Sequence, residues 1–330
     1  VGSSVGSALV DEAALVDLPT MEQVRRRVRD PLAKRKCVVI ASTPNLGSWF
    51  AKMIKKPPPG SEVFFASTEE NPWLEESYLS QMRADYDEKT LRAYMSGQPV
   101  SLTGNAAHAF VEGEWPAGNL RRCVYDPNEG VYLTVDNNRS PMCGSLWQAT
   151  GSLVGCFAEI TLAGGSWNSF GEAVYRALKG KRPKGIAMFG DAVLRGGITN
   201  EATDWGHFAD IKAGIERAFG GSVNVEMRCP KANPLEMDRL IGLNAMLCNG
   251  AGERRLVVDP SCTEVLTDLR EMETDEHGRL RKPGRVGSKG VDPKRSHHFD
   301  GVGYMVMARW APNRDTGHVP EVATGRLSLA

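Results

Sequence analysis

No stretch of this 330-residue chain is apolar for long enough to cross a bilayer as a helix, and no signal peptide opens it. No two of its seven cysteines are spaced Cys-x-x-Cys, and their count is odd. A disulfide framework or a zinc site is therefore not expected, and thiols lying mostly in apolar runs read as reduced, buried groups of a cytosolic protein. Neither sign of charge is in excess, with 40 Lys and Arg against 40 Asp and Glu, so overall charge selects no partner. There is no internal repeat and no low-complexity tract. An initiator Met is missing as well; Val1-Gly2-Ser3-Ser4 runs at once into a strand pattern, which reads as a chain whose true beginning lies elsewhere. What is present is the balance of a soluble globular protein, 41% apolar and 24% charged, with length enough for one large or two ordinary domains.

Apolar runs at Ser7–Val10 and Cys37–Ala41 read as buried strands, with a polar helix over Leu18–Asp30 between them and Pro19 in its first turn. The three prolines within Lys55–Gly60 are a break. Val63–Ala66 reads as a strand, Asn71-Pro72 as the start of a helix, and Asp87 as the cap of a second. Gly113–Asn119 reads as a linker. Beyond it, Gly130–Val135, Met142–Ala149 and Leu153–Leu162 have the spacing of an antiparallel meander. Helices over Ser169–Leu178, Trp205–Ala218, Pro234–Cys248 and Cys262–Met272 then alternate with strands at Gly185–Phe189, Ser222–Arg228 and Arg255–Val258. A basic loop over Thr274–Ser296 leads to an apolar helix at Phe299–Trp310. Three neighbouring strands followed by alternating elements predict a mixed α/β sheet with helices on its faces.

Asp136 and Asp191 each stand just past a strand, and Asp300 opens the last helix. Ligand sites of open α/β sheets collect at the carboxyl ends of strands. Three converging carboxylates repel one another unless a cation lies between them, and hard oxygen ligands suit Mg²⁺ or Mn²⁺. A two-metal centre of this kind activates water and stabilises the leaving oxygen of a phosphodiester. Each Asp alone is better read as an ordinary strand end or helix cap; it is the three together, in this order on these elements, that point to a site. Asp204 and Glu201 are candidate auxiliary acids, though a loop acid and an N-cap for the helix at Trp205 explain them better; His297 or His298 could orient the site or touch a phosphate, or equally be a surface or packing histidine.

Two further patterns bear on function. Ala8-Leu9-Val10-Asp11-Glu12-Ala13 has the form of a Walker B strand, in which the Asp holds Mg²⁺ and the Glu polarises water. The sequence contains no GxxxxGK[ST] loop, so ATP hydrolysis by this chain alone is not expected. From Arg279 to Arg295 there are seven cations (Arg279, Arg281, Lys282, Arg285, Lys289, Lys294, Arg295) against one acid, Asp292. Such a loop leading into Asp300 suits a phosphate backbone, or is a solvated loop. Arg25–Lys36, basic in a helix and turn, reads as solvated surface or as a contact with a neighbouring subunit.

Taken in order, these segments resemble the large terminase subunit of tailed phages. Ala8–Ala13 is similar to the family's Walker B strand, and Ser42-Thr43-Pro44 to its coupling motif. Asn71-Pro72-Trp73-Leu74 with Tyr78 is similar to the helix after the motor core, and Tyr94-Met95-Ser96-Gly97 with Phe110 to the passage into the nuclease. Gly190-Asp191-Ala192 with Thr203-Asp204-Trp205 resembles the second-acid motif. Asn233-Pro234 with Arg239 and Asn244-Ala245-Met246-Leu247 resembles the helix that follows, and His298-Phe299-Asp300-Gly301-Val302-Gly303-Tyr304 the third-acid motif. The resemblance implies an RNase H-like nuclease (119–330) behind a truncated ASCE-type P-loop ATPase (1–60) and a helical lid or linker (61–118). It implies that Asp136, Asp191 and Asp300 are catalytic metal ligands for Mg²⁺ or Mn²⁺. It also makes Asp11, Glu12, Ser42 and Thr43 a motor remnant that uses ATP only in the full-length protein. The implied partners are double-stranded DNA, the portal protein, the small terminase subunit and further copies in a ring on the capsid, in the host cytoplasm and with no membrane. A junction resolvase would share the acids but not the motifs of residues 1–115. A DNA- and portal-binding assembly module with purely structural acids is the non-enzymatic alternative.

Overall fold

The computed structural model describes residues 4–13, 16–42, 49–96, 104–136, 140–195, 207–275, 278–282, 292 and 295–310. The chain divides into two compact units. One comprises Val1–Tyr78, Lys89–Thr103 and Glu276–Gly278; the other comprises Leu79–Glu88, Gly104–Asp275 and Arg279–Ala330.

In the first unit, β1 (Ser7–Val10) and β2 (Cys37–Ile40) pair in parallel, from Ser7↔Cys37 to Val10↔Ile40. Between them runs α1 (Leu18–Arg27), whose N-cap Asp17 accepts from the Thr20 amide and whose first turn holds the proline, as its sequence predicts. A helix not foreseen in the sequence, α2 (Trp49–Lys55), stops before the triple proline. Val63–Ala66 is not a strand: it has no ladder, and Phe64 is 85% exposed. The hydroxyls of Ser67 and Thr68 instead bond the Met95 and Tyr94 carbonyls. Asn71-Pro72 forms a turn, with the Asn71 side chain accepting from the Trp73 amide, so α3 begins later, at Glu76–Asp85. Asp87 does directly precede α4 (Glu88–Ser96).

The second unit carries a six-stranded sheet. The expected meander is present as β4 (Val131–Asp136), β5 (Met142–Thr150) and β6 (Leu153–Leu162), each pair antiparallel. Parallel strands flank it: β7 (Ile186–Gly190) beside β4, β8 (Val225–Met227) beside β7, and β9 (Leu256–Val258) beside β6. The order is β8-β7-β4-β5-β6-β9. A small antiparallel pair, β3 (Gly104–Asn105) with β10 (Glu273–Thr274), stands apart.

Period-two alternation sends side chains to two faces. Val131, Leu133, Val135, Ile186 and Met188 pack with α5 (Trp167–Ala177) and α6 (His207–Ala218). Tyr132, Trp147, Ala187 and Phe189 pack with α7 (Glu236–Leu247), α8 (Thr263–Glu271) and α9 (His297–Trp310). The result is a helix–sheet–helix sandwich. The stretch 113–119 is not a free linker. Asn119 is fully buried, and its amide donates to the Leu247 and Leu256 carbonyls, stitching α7 to β9. Cys143, Cys156, Cys229 and Cys262 are buried free thiols, but Cys37 is exposed, against the sequence expectation.

Candidate active site

Asp136 ends β4, and Asp191 follows β7. Continuing the alternation puts both on the face that α9 covers, since Asp136 shares the parity of Tyr132 and Asp191 that of Phe189. Val135 and Gly190 are the last paired residues of these parallel strands. The two aspartates therefore leave the sheet side by side, from strands roughly 4.8 Å apart. Gly190 is required here: a Cβ would lie 2.5 Å from the Val135 carbonyl oxygen and 2.3 Å from Leu194 Cδ1.

The third acid arrives on α9, whose start is fixed from outside the helix. Asp268 on α8, 1% exposed, accepts from the amides of Ser296, His298 and Phe299 and from Arg295 Nη1. Orphan amides at the helix N-terminus are thereby satisfied by a borrowed carboxylate, and α9 begins at His297 rather than Phe299. One turn on, Gly301 lets the helix cross β4: its Cβ would stand 3.0 Å from Thr134 Cβ. His297, Asp300 and Tyr304, at i, i+3 and i+7, share the face turned to the strand ends.

Contacts then join the acids. His297 Nδ1 lies 2.5 Å from Asp136 Oδ2. Asp191 Oδ1 accepts from the Val193 amide at 2.6 Å, while Oδ2 meets Asn233 Nδ2 at 3.0 Å and the Tyr304 hydroxyl at 3.5 Å. Burial pushes the Tyr304 phenol up; Arg239 opposes this, and the charges of Asp191, Asp300 and Asp136 add to it, so all three acids act on one phenol. Asp300 is bound by Arg239 Nη1 at 2.7 Å and by Lys282 Nζ at 2.7 and 2.5 Å. Its burial favours the neutral acid, but Lys282 and Arg239 outweigh this and hold its pKa below the usual carboxylate value. Carboxylates at two strand ends and a third on the helix above them fit Mg²⁺ or Mn²⁺ in donor chemistry. Among the described residues, however, no three acid, His or Cys side chains close on one point, and the third acid is turned to two cations, Arg239 and Lys282.

Compared with solved structures, the chain aligns over 93% of its length with 70% of the large terminase of a thermophilic bacteriophage, at a TM-score of 0.59 and 17% identity for the complex with ATP-gamma-S. The ADP complex of that protein gives 0.58 at 17% identity, and a second crystal form gives 0.57 at 16%, each with the same coverage of this chain. The chain has the fold of a phage large terminase. No protein-family model matches it, and neither does any curated protein.

Within this terminase fold the other candidate residues fare differently. Asp11 and Glu12, at the end of β1, are exposed, and Glu12 Oε2 accepts from Ser42 Oγ at 3.4 Å across the strand ends. Thr43, Glu201, Asp204, Arg285, Lys289 and Lys294 lie outside the described residues. Arg279 is exposed, and Arg281 pairs with Glu273 at 2.8 Å. Two expected phosphate contacts need correction. Arg295 is buried against Glu264 and Asp268 at 2.7 and 3.2 Å, where it anchors the start of α9. Lys282 faces Asp300 and not solvent. His298, expected with Asp204 as an auxiliary, points away to Thr161 Oγ1 at 3.0 Å; burial, then His297 and Arg295, lower its pKa to about 3, so it stays neutral.

Asp268 and the contact of His297 with Asp136 carried no clear sequence signal, and Asn233 stood out only within its helix motif, although the i, i+3, i+7 spacing of His297, Asp300 and Tyr304 could have singled out that face. Burial raises the Asp268 pKa to about 6, against the lowering by its amide partners and Arg295. Its folded-state value thus lies above the ordinary 3.8, so the folded protein takes up a proton between roughly pH 4 and 6. Asp268 therefore contributes stability that is fully present below pH 4 and is lost as the pH rises through 6. Thermal melts of Asp268→Asn should show a flatter stability curve over that window than the native chain. An unchanged slope would exclude Asp268 as the titrating group.

Proposed function

We propose that this chain belongs to a DNA-packaging large terminase and carries its nuclease: a divalent-metal-dependent endodeoxyribonuclease whose ligands are Asp136, Asp191 and Asp300. The observation that carries this reading is the exit of Asp136 and Asp191, side by side, from adjacent parallel strands under the helix that bears Asp300. When bound there, Mg²⁺ or Mn²⁺ would supply water activation and charge stabilisation for phosphodiester cleavage. The chain's own residues do the rest. His297 orients Asp136. Asn233 and the Val193 amide fix the Asp191 carboxylate, and Tyr304 closes over it. Arg239, facing the Tyr304 ring at 4.5 Å, holds the Asp300 carboxylate at 2.7 Å.

Residues 1–60 are read as motor sequence, 61–118 as a lid or linker and 119–330 as the nuclease. Asp11, Glu12, Ser42 and Thr43 are the motor's catalytic and coupling residues, with ATP hydrolysis coupled to DNA translocation only where a phosphate-binding loop is supplied. The partners follow from the same reading: double-stranded DNA, the portal and small subunit, and sister copies at the procapsid in the host cytoplasm. The assembly-module alternative draws on one observation, the neutralisation of Asp300 by two cations.

Plasmid cleavage decides between them. The full chain should nick and linearise supercoiled DNA in Mn²⁺ or Mg²⁺ and leave it intact in EDTA. A folded protein that cuts with neither metal would favour the assembly module.

A further inference from the structure

Lys282 is held at Asp300 by its surroundings. Its ammonium lies 2.7 and 2.5 Å from the two carboxylate oxygens, with side chains 18% and 13% exposed. The backbone leading to it is pinned: the Leu280 amide donates to Glu236 Oε1 at 2.7 Å, and the Arg281 amide donates to the Glu273 carbonyl at 2.8 Å. Only the four-carbon stem enters the site, so the ammonium can withdraw by rotation with the strap left in place. Arg239 differs. It sits on α7 at 8% side-chain exposure, lies against Tyr304 and stays with Asp300. The other two acids carry no such plug, since among the described residues the partners of Asp136 and Asp191 include no lysine or arginine.

Resting on the metal-nuclease reading above, we propose that Lys282 is a tethered cation that closes Asp300 against a divalent ion, so that completing the three-acid site requires its displacement. A cation fixed on the same chain competes at high effective concentration, and it repels an arriving divalent ion at a few ångströms. Among the described residues the third acid is thus closed by lysine and arginine, while the other two meet His297, Asn233, Tyr304 and the Val193 amide.

Calorimetric titration of Mn²⁺ into the full chain, without DNA, tests this. Lys282→Met keeps the stem and removes the charge; it should bind Mn²⁺ roughly tenfold more tightly than the native chain, the scale by which one close charge shifts a carboxylate equilibrium. Lys282→Arg, which keeps the charge, should bind no more tightly than native. Asp191→Asn reports on the site itself and should weaken binding. If Asp191→Asn weakens binding but Lys282→Met leaves it equal or weaker, the tethered-cation proposal is overturned while the metal site stands. If no variant binds Mn²⁺, both fall. Should Lys282→Met fail to fold, amine labelling of native Lys282, read by mass spectrometry, replaces it: Mn²⁺ should raise the labelling, and unchanged labelling in an Mn²⁺-bound protein overturns the proposal.

Discussion

Asp191→Asn is expected to abolish Mn²⁺-dependent plasmid cleavage while leaving the fold intact. An asparagine can still accept from the Val193 amide, which lies 2.6 Å from Oδ1, so the turn after β7 keeps its geometry. What disappears is the negative charge at the strand end beside Asp136. A metal contributes several kcal/mol of transition-state stabilisation, and each 1.36 kcal/mol is tenfold in rate, so loss of a ligand costs on the order of a thousandfold or more. Asp191 is partly exposed, and weakening its bonds to Asn233 and Tyr304 costs about 1–2 kcal/mol of stability at most. The melting temperature should therefore move by only a few degrees. Initial rates of supercoil loss, measured beside a thermal melt, check both halves. Cleavage at the native rate by this variant would falsify the assignment of Asp191.

Trp147→Ala should produce the largest loss of stability. Trp147 is fully buried in the layer between the sheet and α7, α8 and α9, and its indole Nε1 donates to Ser145 Oγ at 2.7 Å. That hydroxyl also meets Thr134 Oγ1 at 2.5 Å, on the strand that ends in Asp136. Removing so large a side chain leaves a cavity and typically costs about 3–5 kcal/mol. For a domain of this size that lowers the melting temperature by roughly 6–20 °C. Trp147→Phe keeps most of the volume and loses the hydrogen bond, so it should fall between the two. A drop of a degree or two for the alanine variant would mean that this core layer collapses to fill the space.

The elements of the second unit were legible because their signals are local. Short apolar runs separated by a turn at Gly151, φ 62°, mark β5 and β6, and longer apolar runs, buried almost all round, mark α7 and α9. Where local signals misled, a partner was missing or unseen: Val63–Ala66 has strand composition but no ladder, and 113–119 has linker composition but a buried Asn119. The sequence by itself determined which acids stand at element ends, since a strand that stops at Asp136 or Asp191 exposes it there whatever the topology. Only the tertiary structure decided that they are neighbours. The strand order puts β7 against β4 although β5, β6 and α5 lie between them in the chain, and no local pattern encodes that pairing. It also decided the partners of the cations. Lys282 and Arg295 carry the same charge as the rest of the basic run, and only packing brings one to Asp300 and buries the other with Asp268. The physical reason is that burial makes an unpaired charge costly, so a long side chain near an interior carboxylate turns inward to it.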